Sequence, residues 1–191
     1  KNNIDTYLFS TQGGTGTSNF ASRAVLRAQE LEYAYSDEKK DKLKGKRFVP
    51  QVKDDEYFSN TFCKKKNIFK NNNQSLVFLH SYAGHGSFGG YTSLVPKDFN
   101  IKYPKYINKK NFLGKDHKNF DLTREYDSAI SYIDYSISKT VECAFINSKE
   151  NNKPLIFIYF SDHGESPTSG KGHDSSRITY EMMNVPFVVY F

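Results

Sequence analysis

The sequence predicts an α/β fold in which helices cover both faces of a mostly parallel sheet. The apolar run Leu155–Phe160 lacks polar alternation, which is typical of a strand buried on both faces of a parallel sheet. A second apolar run, Leu76–His80, predicts another buried strand. Between these runs, Tyr126–Ala144 carries apolar residues at helical spacing, which predicts a helix that can cover such a sheet.

The N-terminal part is predicted to begin with a strand and to continue with a helix. Ile4–Phe9 is rich in β-forming residues and is followed by a glycine loop at Gln12–Thr17. From Asn19 to Tyr35, alanine, valine and leucine recur at helical spacing, which predicts a helix. The charged stretch Ser36–Asn73 has little apolar periodicity, so we expect a solvated loop or a short irregular helix there.

The two apolar runs are followed by loops that contain residues suited to chemistry. Ser81–Gly90 places a histidine among glycines, and Ser161–Ser166 contains aspartate, histidine and glutamate. Because ligand sites in open α/β sheets form at the carboxyl ends of the strands, both loops are candidate site segments. Val95–Arg124 has prolines and no sustained period, which predicts a long surface excursion. Val185–Phe191 is the last predicted strand.

The composition favours one globular domain. The 191 residues are 37% hydrophobic and 16% aromatic, which is enough apolar material for a core and argues against wholesale disorder. No apolar run approaches the ~20 residues that a membrane-spanning helix needs. The net charge of +6 permits anionic partners without selecting among them. We expect no nucleic acid partner, since only charge and aromatic content point to one.

The cysteines and histidines of the sequence argue against a zinc finger and indicate another kind of metal site. Cys63 and Cys143 are too few and too far apart for a zinc finger, and they form either free thiols or one disulfide. Asp162 and His163 place a carboxylate beside an imidazole, which suits Zn²⁺ or a similar ion, although a solvated turn capped by Asp162 is the alternative. Further histidines on glycine-flanked loops, His85 and His173, favour a site in one cleft.

Four blocks of the sequence occur in a distinctive order between Leu76 and Phe191. They are Leu79–Gly86, Tyr126–Asp134, Tyr159–Ser166, and His173 ahead of Val185–Pro186. In order and spacing they resemble the phosphoethanolamine transferases, zinc-dependent enzymes of the alkaline phosphatase and sulfatase superfamily that are anchored in the membrane. Ser-Asp-His-Gly-Glu-Ser is the most specific piece. Asp5–Gln12 is similar to the strand that follows the nucleophile-bearing helix in these enzymes.

The resemblance implies a role for each candidate residue. Asp162 and His163 would be ligands of a catalytic Zn²⁺, while His85 and His173 would hold the phosphoryl group or assist proton transfer. A metal ion that polarises a phosphoryl oxygen, combined with imidazoles that move protons, suits this chemistry. In the family, phosphoethanolamine passes from a phospholipid donor to a threonine of the enzyme and then to an acceptor, commonly lipid A or a related glycan.

The resemblance also implies a location and a larger protein. We expect the periplasmic face of the bacterial inner membrane, an oxidising compartment that favours a disulfide between Cys63 and Cys143. The family's nucleophilic threonine and the acidic metal ligand of its first strand have no obvious counterpart. Thr15 and Thr17 are alternatives for the nucleophile, although an ordinary glycine turn is the preferred interpretation.

We therefore expect residues 1–191 to be part of one sulfatase-like catalytic domain, with a sheet that is incomplete at both ends. Membrane helices and the nucleophile segment would lie upstream of this chain, and the chain alone would be inactive. Three alternatives stay open, which are a sulfatase, a phosphoglycerol transferase and a non-catalytic relative that keeps the anion pocket.

Overall fold

The computed structural model describes residues 4–11, 30–33, 56–70, 72–86, 88–91, 94–102, 118–170, 172–174 and 176–191. In chain order, the strands and helices are β1 (Ile4–Ser10), β2 (Glu30–Tyr33), α1 (Glu56–Thr61), α2 (Lys66–Lys70), β3 (Gln74–His80), α3 (Lys97–Lys102), α4 (Phe120–Glu150), β4 (Phe157–Phe160), α5 (Tyr180–Met183) and β5 (Phe187–Tyr190). Short 3₁₀ turns lie at Phe62–Lys64, Phe88–Tyr91 and Pro167–Ser169. No helix in this part of the chain is both long and apolar enough to cross a bilayer.

The chain divides into two compact units. The first comprises residues 1–83 and 136–153, and the second comprises residues 84–135 and 154–191. The described strands accordingly form two separate sheets, a three-stranded one in the first unit and a two-stranded one in the second. This finding differs from the predicted single parallel sheet.

The first unit contains a parallel sheet with the strand order β2-β1-β3. Ile4 lies opposite Gln74 and Ser10 lies opposite His80, so β1 and β3 pair along their full length. Because β1 is the central strand, its side chains are covered, and Leu8 and Phe9 are 1% and 0% exposed. The predicted strands at Ile4–Phe9 and Leu76–His80 are both confirmed.

The burial of β3 differs from the prediction. Leu76 and Phe78 remain 47% and 41% exposed. The reason is position, since β3 pairs only with β1 among the described strands. A continuous apolar run therefore marks an edge strand here, and the prediction that Leu76–His80 is buried is wrong for those two side chains.

The helix predicted over Asn19–Tyr35 is wrong at its C-terminal end, where the chain forms β2. Glu30, Leu31, Glu32 and Tyr33 alternate between charged and apolar residues, which is the period of a strand. This segment pairs in parallel with Tyr7–Ser10 of β1. Leu31 and the alanines before it are also spaced as in a helix, but the pairing with β1 stabilises the strand instead. Residues 12–29, which carry the predicted glycine loop and the start of that helix, lie outside the described part.

The stretch predicted as a solvated loop or irregular helix contributes to the core. Its described part forms α1, a 3₁₀ turn and α2, which bury Phe58, Phe62, Ile68 and Phe69. The Phe62 ring lies 5.9 Å from the ring of Phe9 and 5.5 Å from that of Phe69. Short helices are thus confirmed, whereas solvation is wrong for these four side chains because they pack into the core, where Phe62 contacts Phe9 of β1.

A disulfide closes the first unit. Cys63, in the 3₁₀ turn, is bonded to Cys143 of α4, with a Cα–Cα distance of 5.9 Å. The bond bridges 80 residues of sequence. The disulfide that the sequence left as one of two alternatives is therefore the form that the structure contains.

The long helix α4 confirms the predicted helix, but its buried face differs from the predicted stripe. Most of its deeply buried side chains are small or polar, while Ile130 is 45% exposed; the most deeply buried are Ala129, Tyr132, Ala144, Ser128 and Thr140. The hydroxyl of Thr140 donates to the Ser136 carbonyl at 2.9 Å, four residues earlier. Such internal hydrogen bonds satisfy hydroxyl groups inside a core, which a count of apolar residues overlooks.

The second unit contains an antiparallel pair, β4 and β5, in which Phe157 lies opposite Tyr190 and Phe160 opposite Phe187. The expectation that β4 is a parallel strand buried on both faces is therefore wrong. Its side chains alternate, with Ile158 and Phe160 53% and 65% exposed and their neighbours half-buried. Every residue of β5 is exposed. The predicted surface excursion at Val95–Arg124 includes the short helix α3 and the start of α4, and its residues 103–117 lie outside the described part.

Candidate metal centre

The turn after β4 is fixed by its own hydrogen bonds. The hydroxyl of Ser161 donates to the carbonyl of His163 at 2.8 Å. The backbone N–H of His163 donates to Asp162 Oδ1 at 3.0 Å, which is a local side-chain turn of the kind aspartate favours. These bonds hold two adjacent potential ligands immediately beyond the carboxyl end of a strand.

Gly164 packs this turn closely against α5. Its N–H donates to the carbonyl of Met182 in α5 at 2.8 Å. A Cβ atom at position 164 would overlap with the carbonyl oxygen of Glu181. Only glycine allows this close approach of the two backbones.

Gly164→Ala is expected to lower the free energy of unfolding by about 1–3 kcal/mol, since the added methyl group overpacks the contact with α5. Urea denaturation followed by circular dichroism measures the change. Gly86→Ala is the comparison, because a Cβ there meets open space and the variant pays only for a left-handed φ of 56°, roughly 1 kcal/mol. Equal stability of Gly164→Ala and the unchanged protein would contradict the steric argument.

The imidazole of His163 presents one nitrogen to a ligand. Its Nδ1 lies 3.0 Å from the carbonyl oxygen of Gly164. Because a carbonyl oxygen only accepts, Nδ1 carries the proton and Nε2 keeps its lone pair. Nε2 lies 3.8 Å from Asp162 Oδ2. Zinc bonds to nitrogen and carboxylate oxygen are about 2.0–2.2 Å long, so both atoms can bind a single ion at this separation.

Glu165 is buried and paired with a histidine farther along the chain. Its side chain is 7% exposed, and its Oε1 lies 2.8 Å from Nδ1 of His173. Its Oε2 is shielded from solvent and has no hydrogen-bond partner in the described part of the chain. A Cβ at position 172 would come within 2.8 Å of this oxygen, so Gly172 leaves the room that the carboxylate occupies.

Three histidine rings follow one another in this unit. The rings of His163 and His173 are 4.1 Å apart, and those of His173 and His85 are 5.5 Å apart. Potential ligand atoms of His163, Glu165 and His173 all lie within 4.8 Å of one another. The four residues singled out from the sequence, Asp162, His163, His173 and His85, therefore lie close together.

The loop that carries His85 is held by its glycines and by Tyr91. Gly84 and Gly86 have positive φ values of 89° and 56°, which glycine adopts without steric cost. The N–H of Gly84 donates to the hydroxyl of Tyr91 at 3.1 Å. A Cβ at Gly84 would also come within 2.8 Å of Ile133 Cδ1 in α4. Glycine at this position thus allows the loop to approach the helix.

Two contributors to the site were not assigned by sequence reasoning. The sequence alone does not decide whether Glu165 pairs with His163 or is exposed, and in the structure it pairs with His173. Tyr126 of α4 packs against Phe88 at 5.1 Å. Burial raises the pKa of Tyr126, and the negative charges of Glu165 and Asp127 add to that shift. A half-buried tyrosine with a raised pKa stays neutral and can donate a hydrogen bond.

Comparison with known proteins extends this description. The chain is 32% identical over 124 residues to phosphoethanolamine transferase EptA of Helicobacter pylori, a match that covers 62% of this chain and 22% of that protein. The C-terminal periplasmic domain of EcEptC from Escherichia coli, solved as a complex with Zn, superposes with a TM-score of 0.63 at 16% identity. That match covers 98% of this chain and 48% of the solved chain.

A further solved structure with a different name shares the fold. Lipoteichoic acid synthase LtaP from Listeria monocytogenes gives a TM-score of 0.57 at 15% identity, covering 98% of this chain and 43% of that one. The chain thus spans less than half of these solved chains and about a fifth of the curated relative. The chain therefore shares the fold of these two solved domains. The family model described as Sulfatase matches residues 2–191, and the chain belongs to that family.

Proposed function

We propose that the protein containing this chain is a zinc-dependent phosphoethanolamine transferase. The observation that carries the proposal is the Asp162–His163 donor pair, set in a chain that is similar to a transferase of that name. The donor pair indicates metal chemistry on an anionic ester, and the similarity to EptA indicates which ester. The catalytic step itself belongs to the whole protein, of which this chain supplies part of the site.

The residues present fit a zinc ion. Asp162 Oδ2 and His163 Nε2 are ligand atoms of the kinds that zinc prefers, and their separation of 3.8 Å is compatible with one ion. Hydrogen bonds hold the carboxylate of Asp162 and the ring of His163, so both ligands are oriented before the ion binds. When bound, zinc would polarise a phosphoryl oxygen and favour attack at phosphorus.

His173 and His85 would act on the substrate. An imidazole nitrogen can donate a hydrogen bond to a phosphoryl oxygen or accept a proton, so both residues could hold phosphoryl oxygens or move protons at the attacking and leaving oxygens. Their rings lie 5.5 Å apart, and the ring of His173 lies against that of the proposed ligand His163. This arrangement supports a role for both residues beside the metal.

His173→Ala is expected to leave zinc binding intact and to lower phosphoethanolamine transfer by about 10²- to 10⁴-fold, the range for losing one acid–base group. The test uses metal analysis and a transfer assay on the full-length protein. His117→Ala, which removes a histidine from the lysine-rich stretch of the sequence, is the control and should retain transfer. Full activity of His173→Ala would contradict the assignment.

The proposed donor is a phospholipid such as phosphatidylethanolamine, and the proposed acceptor is lipid A or a related glycan. We place the site on the periplasmic face of the bacterial inner membrane, with membrane attachment through segments outside this chain. The Cys63–Cys143 disulfide supports this placement, because such bonds persist in oxidising compartments.

One measurement separates this function from those of other family members. Full-length protein is incubated with labelled phosphatidylethanolamine, with labelled phosphatidylglycerol and with a sulfate ester. Label from phosphatidylethanolamine is expected in the acceptor. Sulfate release without lipid transfer would identify a sulfatase. Transfer from phosphatidylglycerol would identify a phosphoglycerol transferase. No turnover of any substrate would point to a non-catalytic relative.

A further inference from the structure

Glu165 occupies a position that suits it to control a histidine. It comes two residues after His163 in sequence, yet it pairs with His173, whose Nδ1 lies 2.8 Å from Glu165 Oε1. We propose that Glu165 is a positioning residue, which fixes the ring orientation and the tautomer of His173. The importance of that role for catalysis rests on the proposed function, whereas the tautomer itself does not.

The burial of Glu165 makes the interaction strong. Its side chain is 7% exposed, and removing a carboxylate from water is costly unless hydrogen bonds replace those that water provided. The hydrogen bond to His173 provides such a replacement for Oε1. Among the described residues, Oε2 is shielded from solvent and has no hydrogen bond, so the bond to His173 is the compensation that the structure shows for this carboxylate. A carboxylate in that situation holds its partner firmly.

The hydrogen bond determines which nitrogen of His173 faces the site. An ionised carboxylate only accepts hydrogen bonds, so the proton of neutral His173 lies on Nδ1. Nε2 then carries the lone pair, on the opposite side of the ring from Glu165. The nitrogen available to a substrate proton or a phosphoryl oxygen is therefore Nε2.

The same contacts argue against Glu165 as a metal ligand or a substrate-binding group. Its Oε1 is engaged by His173, and its Oε2 is covered where it lies against Gly172. Asp162, by contrast, has a side chain that is 87% exposed and open to an ion. Exposure therefore favours Asp162 as the metal ligand, whereas the hydrogen bond to His173 favours Glu165 as the positioning residue.

The first test is nitrogen NMR of the histidine rings in ¹⁵N-histidine-labelled full-length protein, with the His173 signals assigned by their loss in His173→Gln. We expect a proton on Nδ1 of His173 in the unchanged protein and in Glu165→Gln, whose amide oxygen still accepts. We expect redistribution of the proton between both nitrogens in Glu165→Ala. A proton on Nε2 in the unchanged protein would overturn the proposal, even if Glu165→Ala failed to fold.

The second test is transfer by the same variants, with Asp98→Asn as a control that changes an exposed carboxylate on α3. Glu165→Ala is expected to lower kcat by about 10- to 100-fold, the range for losing a partner that orients an active-site group, and Glu165→Gln to recover most of it. Zinc content should not change in either variant. Loss of zinc would make Glu165 a ligand and overturn the proposal. If no variant transfers phosphoethanolamine, the proposed function fails, while the NMR result still decides the role of Glu165.

Discussion

Replacing Asp162 or His163 with alanine is expected to remove zinc from the protein and to reduce phosphoethanolamine transfer by more than about a hundredfold. Partners that only orient metal ligands already cost 10- to 100-fold when they are removed, so the loss of a ligand should exceed that range. The physical reason is that Asp162 Oδ2 and His163 Nε2, which lie 3.8 Å apart, are proposed to bind the ion together. Each variant removes one of these two ligand atoms. Elemental analysis of purified, full-length protein measures the zinc.

Two further variants make this test specific. Asp162→Asn keeps the size of the side chain and an oxygen that can accept the N–H of His163, but it removes the charge. It should therefore weaken zinc binding while the turn keeps its shape. Asp98→Ala removes an exposed carboxylate from α3 and should leave zinc unchanged. Zinc content equal to that of the unchanged protein in both Asp162→Ala and His163→Ala would refute the ligand assignment.

Reducing the Cys63–Cys143 disulfide is expected to produce the largest loss of stability. The bond closes a loop of 80 residues, and in the chain-entropy model a loop of that length contributes about 4.5 kcal/mol to the free energy of unfolding. Denaturant titration with and without a reducing agent measures the difference. The double variant Cys63→Ser and Cys143→Ser serves as control, because it should show the low midpoint under both conditions. A midpoint that does not respond to reduction would contradict the prediction.

The sequence predicts the elements with strong local signals and misplaces those that depend on partners. β1, β3 and α4 are predicted because their apolar patterns are long or continuous. β2 is not, since the four residues Glu30–Tyr33 become a strand by pairing with β1, and leucine and alanine nearby also fit a helix. The exposure of β3 and β4 depends in the same way on which strands lie beside them, and no local pattern records that.

In the candidate site, too, local features can be predicted from the sequence and long-range pairings cannot. Asp162 and His163 are adjacent in sequence, so their cooperation is visible in the motif. The pairing of Glu165 with His173 depends on the loop between them, where a 3₁₀ turn at Pro167–Ser169 and a left-handed Gly170 with φ of 74° reverse the chain. From the sequence, Glu165 could pair with His163 or be exposed. The fold of this loop brings His173 to Glu165 instead.

The most direct test of the central claim is a crystal structure of the full-length protein with zinc, with diffraction data collected on both sides of the zinc absorption edge. An anomalous peak is expected within about 2.2 Å of both Asp162 Oδ2 and His163 Nε2, the distance of ordinary zinc ligands. Glu165 should stay bonded to His173 and outside the coordination shell. A peak among His163, Glu165 and His173 without Asp162, or no peak at this turn, would contradict the account.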